Sequence, residues 1–145
     1  MKNVQSVNKH LANLGLLNFK LHNLHWNIEG GAFVPVHEYI ESVYDKVFEF
    51  YDEVAEQLKM QGESPVVKAS EYLKIASIKE IDAKVFSISE ALCILQDDLK
   101  VLQQEAIEIR AVANEEDNFA LANSMEDELA YYAKQLWFIK SSLAN

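Results

Sequence analysis

The chain has 145 residues, half of them hydrophobic and a quarter charged, which excludes a disordered polymer and suits one domain, residues 1–145, with a hydrophobic core. Its formal net charge of −10 disfavours nucleic acid as a partner, because phosphate binding requires Lys and Arg, and favours cations instead. Only four Gly and two Pro are present, which favours long helices over a β-rich fold.

The sequence also limits where the protein can reside. The single cysteine, Cys93, excludes an internal disulfide and a cysteine-based zinc site. No apolar run reaches the roughly 18 residues that a membrane span needs. Residues 1–10 lack the hydrophobic segment of a signal peptide. These features predict a cytoplasmic protein without a membrane segment.

Four stretches of the chain repeat apolar residues at steps of three and four. This spacing is typical of amphipathic helices packed at shallow angles, so we predict an all-α four-helix bundle. The four apolar stripes are Val7 to Ile28, Val36 to Leu58, Val85 to Ile109 and Ala122 to Leu143.

Helix-breaking and capping residues predict the helix ends. The long link 63–81 must cross the bundle, and Ser70–Ala76 within it favours a short extra helix. One long crossover is the ferritin-like pattern. The predicted ends are Gly30 for the first helix, Pro35 and Gly62 for the second, Asp82 and Ala113 for the third, and Asp117 for the start of the fourth.

Two residue pairs suit a metal ion. Asp52 and Glu56 are four residues apart, so both carboxylates lie on one helix face. His25 and His37 flank the reversal at Gly30-Gly31, which can bring both imidazoles to one end of the molecule. Imidazole with carboxylate suits iron or zinc. A solvated acidic pair and packed core histidines are the alternatives.

The spacing of the two pairs constrains any shared ion. Asp52 is fifteen residues beyond His37, about 22 Å along one helix. One ion cannot touch both within one chain. A second copy of the helix, antiparallel across a two-fold axis near Tyr44–Asp45, would place His37 beside the partner's Asp52 and Glu56, giving two equivalent sites. Apolar residues on this second face, such as Phe48, would be buried in the dimer and so favour its formation.

The di-iron motif of a self-contained bundle, Glu-x-x-His, is absent from the sequence. That absence favours the shared site over a centre inside one bundle.

The sequence resembles the Dps family, the small ferritins of bacteria and archaea, over nearly its whole length. The most specific part is a His-Trp pair, a spaced second His and an Asp-Glu-x-Ala-Glu segment. The matching positions are His25-Trp26, His37-Glu38, Tyr44-Asp45, Asp52–Glu56, Gly62–Pro65 and Trp137.

The resemblance implies a hollow homo-dodecamer with ferroxidase centres at its two-fold interfaces. It implies that His25 and His37 of one subunit and Asp52 and Glu56 of its mate bind iron, possibly two ions per centre. It implies oxidation of Fe(II) to Fe(III), with hydrogen peroxide favoured, and storage of a ferric mineral that protects against oxidative stress. Glu41, where many members carry Asp, is an auxiliary ligand in this scheme, and Trp26 lies near the centre.

Acidic residues near the last helix could line an iron-entry pore, as in the family. Asp117 and Asp127 are the candidates, although Asn123 sits where an acidic pore residue is expected. Acids that suit a helix N-terminus are the alternative reading, which we favour for Glu115 and Glu116. The other acids of this group are Glu126 and Glu128.

The remaining candidates have simpler interpretations. We read His10 and His22 as structural and Cys93 as inert, and Tyr131, Tyr132 and Trp137 as packing residues. Two other functions stay open. One is a DNA-binding nucleoid protein of the same fold, disfavoured by the charge and by the lack of a Lys-rich tail. The other is a helical assembly protein without chemistry.

Overall fold

The computed structural model describes residues 1–144, and the helices of this range confirm the all-α bundle with one long crossover. Four long helices form the bundle, and a short helix lies in the crossover, as predicted. Two two-residue strands complete the described secondary structure. The elements are α1 (Val4–Asn27), β1 (Ile28–Glu29), α2 (Phe33–Met60), α3 (Ala69–Ile75), β2 (Phe86–Ser87), α4 (Ile88–Glu115) and α5 (Phe119–Leu143).

The apolar stripes of the four long helices meet in a continuous core. Leu14 and Leu17 of α1, Val47 of α2 and Leu99 of α4 are fully buried there. Truncating any such leucine to alanine costs about 2–5 kcal/mol of stability. Among residues 1–144, no helix is both long and apolar enough to cross a bilayer.

The predicted start of α4 at Asp82 is wrong, since the helix begins at Ile88. Ser87 caps it: its hydroxyl accepts from the Glu90 backbone N–H at 3.1 Å, and the Glu90 carboxylate accepts from the Ser87 backbone N–H at 3.4 Å. Val85, placed in the buried stripe by its spacing, is 61% exposed. The preceding residues leave the helix because Phe86 pairs in parallel with Ile28 of β1.

Two other helices begin two residues away from their predicted starts. Helix α2 begins at Phe33 rather than Pro35, and proline is tolerated in a first turn because its missing N–H needs no partner there. Helix α5 begins at Phe119, where the Asn118 side chain accepts from the Leu121 backbone N–H at 3.4 Å. Asp117 adopts φ 55° in the turn before it.

Asparagines of α1 hold the crossover against the bundle. The Asn13 carboxamide oxygen accepts from the backbone N–H groups of Ser77 and Ile78, both at 2.9 Å. These bonds satisfy backbone groups that have no helix or sheet partner. Similar bonds join Asn8 to Val66 at 2.8 Å and Asn23 to Ile81 at 3.1 Å.

Candidate metal centre

The reversal between α1 and α2 sets the position of both candidate histidines. Gly30 has φ +148°, a conformation that side chains rarely adopt, and its carbonyl accepts from the Phe33 backbone N–H at 3.1 Å. The parallel pairing of Ile28 with Phe86 fixes the chain just before this turn. As a result, the first turns of α2 lie beside the last turns of α1.

The structure brings His25 and His37 into direct contact. Their rings stack with centroids 3.6 Å apart and planes only 10° from parallel. His25 is 5% exposed, and His37 is half-buried. Two imidazoles at this separation can donate to one ion or to two adjacent ions.

Reciprocal hydrogen bonds fix the tautomer of both rings. The His25 Nδ1–H donates to the His37 carbonyl at 2.8 Å, and the His37 Nδ1–H donates to the His25 carbonyl at 2.7 Å. Each Nε2 therefore keeps its lone pair when the ring is neutral. A metal-binding histidine commonly has its other nitrogen held in this way.

Aromatic and acidic side chains surround the stacked pair. Phe33 stacks on His37 with centroids 4.9 Å apart, and Tyr44 meets His25 edge-on at 5.2 Å. Glu41 places a carboxylate oxygen 3.8 Å from His25 Nε2 and accepts from the Tyr44 hydroxyl at 3.3 Å. Glu41 is thus within reach of an ion held by His25.

The acidic pair lies exposed on the same helix. Asp52 raises the pKa of the Glu56 carboxyl, because the two groups share a hydrogen bond and repel when both are charged. A cation between them would remove that repulsion. The pair is therefore close enough to act together on one ion.

The fold does not bring the two pairs together. Helix α2 is unbroken from Phe33 to Met60, so His37 and Asp52 stay about 22 Å apart. Within residues 1–144, no three His, Cys, Asp or Glu side chains are grouped to hold a metal ion. One protomer thus carries two separate halves of a possible site.

The surface beside these halves is rich in exposed apolar side chains. Trp26 is 67% exposed and meets His22 edge-on at 5.6 Å, and Phe48 is 59% exposed. Phe19, Phe48 and Val67 also line an apolar groove of about 300 Å³ between α1, α2 and the crossover. We call the exposed set Phe19, Trp26, Phe48 and Val67 the apolar patch.

The candidate pore acids are spread over different environments. Asp117 lies exposed in the turn before α5, and Asp127 lies exposed on α5. Glu128 is fully buried inside the protomer, so its inclusion among the acids that could line a pore is wrong. Glu115 and Glu116 end α4, so the helix N-terminus reading of both is also wrong.

The sequence reading missed a polar network inside the bundle. His10 is fully buried, and its Nδ1 and Nε2 lie 2.9 Å from Glu105 and 2.7 Å from Glu128. The Tyr132 hydroxyl donates to the same Glu128 oxygen at 2.6 Å. Burial alone lowers the pKa of His10, but the two carboxylates outweigh it and raise the pKa to about 10. The one available signal was Glu128 itself, an acid between Met125 and Tyr132 in a core stripe.

Comparison with known proteins gives one consistent match. A family model described as the ferritin-like domain covers residues 4–145. The DNA protection during starvation protein of Helicobacter pylori is 31% identical over 137 residues, which span 94% of this chain and 95% of that protein. Antigen TpF1 of Treponema pallidum is 32% identical over 139 residues, which span 96% of this chain and 78% of that protein.

Solved structures agree with these relatives. The crystal structure of TpF1 matches with a TM-score of 0.95 at 31% identity, covering 97% of this chain and 90% of that chain. The Vibrio cholerae DPS protein matches with a TM-score of 0.94 at 26% identity, covering 99% and 89%. That protein is described as a member of a broad superfamily of ferritin-like diiron-carboxylate proteins. The likeness therefore extends over nearly the whole chain.

Proposed function

This chain belongs to the Dps branch of the ferritin-like family, and from that premise we propose that it oxidises Fe(II) to Fe(III) at centres shared between two protomers. His25 and His37 of one protomer and Asp52 and Glu56 of its partner form each centre. Glu41 is an auxiliary ligand. Trp26 stands next to the centre.

The observation that carries this proposal is the stacked histidine pair. Both rings have Nδ1 bonded to a backbone carbonyl, which leaves Nε2 for a metal ion at one end of α2, and the acidic pair lies towards the other end of the same helix. An antiparallel partner joins the two halves twice, once at each end of the interface. The apolar patch supplies surface that this interface would bury.

The donor set suits the chemistry of iron as substrate. Imidazole nitrogens bind Fe(II), and carboxylates favour the harder Fe(III), so the centre lowers the cost of removing an electron. Two Fe(II) ions supply the two electrons that reduce one hydrogen peroxide to water. Consuming both reactants together limits formation of hydroxyl radicals.

The proposed product and assembly are those that the resemblance to the Dps family implies. We propose that ferric ions collect as a mineral inside a hollow dodecamer in the cytoplasm, which protects the cell against oxidative stress. Up to two iron ions occupy each centre. Asp117 and Asp127, which are both exposed, are the candidates for the route of iron entry.

Mixed dimers test the shared centre directly. His37→Ala and Asp52→Ala each destroy both centres of a pure dimer. In a mixed dimer the two defects fall in the same centre, which leaves the other centre intact. After unfolding and refolding an equal mixture, half of the dimers are mixed, so about a quarter of the wild-type rate of ferric absorbance should return on adding peroxide.

Two controls accompany the mixture. The double variant His37→Ala, Asp52→Ala, refolded alone, should stay at the rate of buffer. If the mixture does not recover while wild-type protein refolded in the same way recovers fully, the shared centre is overturned. Wild type no faster than buffer would leave a helical assembly without this chemistry.

A second function is suggested by the name of several relatives, DNA protection during starvation protein. Against direct binding, the chain carries a formal charge of −10, and duplex DNA would repel it. A gel shift at low salt should therefore show no complex. A protein–DNA complex that dissociates when the salt concentration is raised would instead favour the nucleoid role.

A further inference from the structure

A second cavity lies beside the candidate metal centre, on the same face of the protomer. It measures about 290 Å³ and is lined by Asn18 and His22 of α1 and by Tyr44, Asp45 and Phe48 of α2. His22 and Asp45 are metal-binding residue types that the proposed oxidation does not use. Each protomer thus supplies one imidazole and one carboxylate to this cavity.

His22 is held in the same manner as the two candidate ligands. Its Nδ1–H donates to the Asn18 carbonyl at 2.6 Å, so Nε2 keeps its lone pair when the ring is neutral. The ring stacks on Tyr44 with centroids 3.9 Å apart and planes 22° from parallel. Hydrogen bonding and stacking together fix the direction of the free nitrogen.

The position of the two-fold axis brings two such cavities together. If His37 lies level with the partner's Asp52 and Glu56, the axis crosses α2 halfway between position 37 and positions 52–56, at residues 44–47. Asp45 is exposed within that interval. Two copies of Asp45 therefore approach each other at the axis.

Two carboxylates that meet at an axis need a positive charge between them. Lys46 is the nearest lysine in sequence, but its Nζ lies 3.1 Å from Glu49 and 5.2 Å from the centre of the Phe50 ring. Lys46 therefore pairs with residues of its own helix. Without a cation, the two Asp45 groups would oppose the dimer.

We propose that this axis binds one divalent cation, held by His22 and Asp45 of both protomers, midway between the two oxidation centres. The inference rests on the dimer of the proposed function. Two imidazoles and two carboxylates form a four-donor set that suits zinc, cobalt or Fe(II). The ion neutralises the paired Asp45 groups and so strengthens the dimer.

Counting Co(II) ions tests the site. Metal-free assembled protein is titrated with Co(II) by calorimetry, first in the His25→Ala, His37→Ala, Asp52→Ala, Glu56→Ala background, which removes the four main ligands of the oxidation centres. One ion per two chains should remain. Adding Asp45→Asn should abolish it, and His22→Gln should weaken it and remove the visible absorption typical of nitrogen-bound cobalt. Asp97→Asn, the same change at an exposed site on α4, should leave the count unchanged.

Thermal unfolding gives a second measurement, in which the effect of Asp45→Asn on the melting temperature should differ without and with Co(II). Without metal, Asp45→Asn should melt at or above the wild-type temperature, because it removes the repulsion at the axis. In the background that lacks the four main ligands of the oxidation centres, Co(II) should stabilise the protein that keeps Asp45 and should not stabilise the protein that also carries Asp45→Asn.

The outcomes separate this site from the oxidation centre. An unchanged Co(II) count in Asp45→Asn overturns the axis site, whether or not mixed dimers recover activity. Failure of the mixed dimers overturns the shared oxidation centre, whatever the cobalt count. A chain that sediments as a monomer overturns both.

Discussion

His10 is a charged side chain held without solvent in the centre of the bundle. Its two ring nitrogens lie against carboxylates from α4 and α5, and neither its own side chain nor that of Glu128 reaches water. An imidazolium in this position is stable only because both acids are present. Removing one member leaves an uncompensated charge.

His10→Gln should therefore destabilise the protein, and the cost should depend on pH. The folded-state pKa of about 10 lies above the value of 6.5 that histidine has in an unfolded chain, so the stabilisation is complete below pH 6.5 and is lost as pH rises towards 10. We expect a loss of about 3 kcal/mol at pH 6 that shrinks steadily up to pH 9.5. Urea unfolding of both proteins across this range measures it.

The exposed neighbour Lys9 provides the control, since Lys9→Gln removes a charge at the surface and should change little at any pH. A His10→Gln cost that is the same at pH 6 and pH 9.5 would show that the ring is neutral in the folded protein.

Contacts between residues close in sequence could be predicted, and contacts between distant residues could not. His25 and His37 are twelve residues apart and flank one reversal, so their approach could be predicted. The partners of His10 lie 95 and 118 residues away, on helices whose rotation no local pattern fixes. His10 was therefore predicted to be structural without any partner being named.

Helix α1 organises the irregular crossover through its asparagines. Asn13 bonds two backbone N–H groups of that segment and also donates to Glu105 at 2.7 Å. Tyr72 and Ile78 are the buried hydrophobic residues of the crossover, and the polar bonds of the asparagines add to the order that they give. A break at this point should loosen the segment while leaving the four long helices intact.

Asn13→Ala should cost about 2 kcal/mol, because it leaves two backbone donors and one carboxylate oxygen without their partner. Brief proteolysis should then cut preferentially between α3 and α4, where wild type resists. The fragments can be located by mass spectrometry.

Asn123→Ala, at an exposed position on α5, is the matched control and should resist proteolysis as wild type does. Equal cleavage of Asn13→Ala and Asn123→Ala would mean that the bonds of Asn13 do not hold the crossover in place.

Local sequence patterns predict the helices of this chain better than they predict where each helix begins. The apolar spacing correctly predicted four long helices and a short fifth, because helix periodicity is a property of neighbouring residues. The start of α4 was misplaced because Phe86 pairs with Ile28, far away in sequence. A capping Asp82 and an apolar Val85 suit a helix locally, and the pairing overrides both.

The whole molecule has a large apolar area on the face that carries both halves of the candidate site. The apolar patch and its groove lie on α1, α2 and the crossover, around His22 and Tyr44. A contiguous set of exposed apolar side chains of this kind marks an interaction surface. The sequence could predict a second apolar face on α2, but not the contribution of Phe19 and Val67, which depends on how the crossover folds.

Phe48→Lys should separate the protomers. The side chain is 59% exposed, so a lysine there costs little within one protomer but introduces a buried charge into the proposed two-fold contact. Helix content by circular dichroism should stay at the wild-type level. Sedimentation should show a smaller particle, and peroxide-dependent iron oxidation should fall to the rate of buffer.

Ile107→Lys on α4 serves as comparison, because Ile107 is also exposed but lies away from α2. Its iron oxidation should stay intact. A Phe48→Lys protein that keeps wild-type size and rate would move the protomer contact to another face.

The reciprocal bonds between His25 and His37 determine when the entropy of ordering these side chains is lost. Each ring is fixed by the backbone of the other, so their freedom disappears as α1 and α2 dock, before any iron arrives. Binding then needs no rearrangement on the histidine side, and the free energy of the metal–nitrogen contacts appears as affinity. The acidic side chains have no such support, being exposed on one helix. Each proposed centre would therefore pair a rigid half from one protomer with an adaptable half from the other, which suits a substrate whose preferred ligands change as it loses an electron.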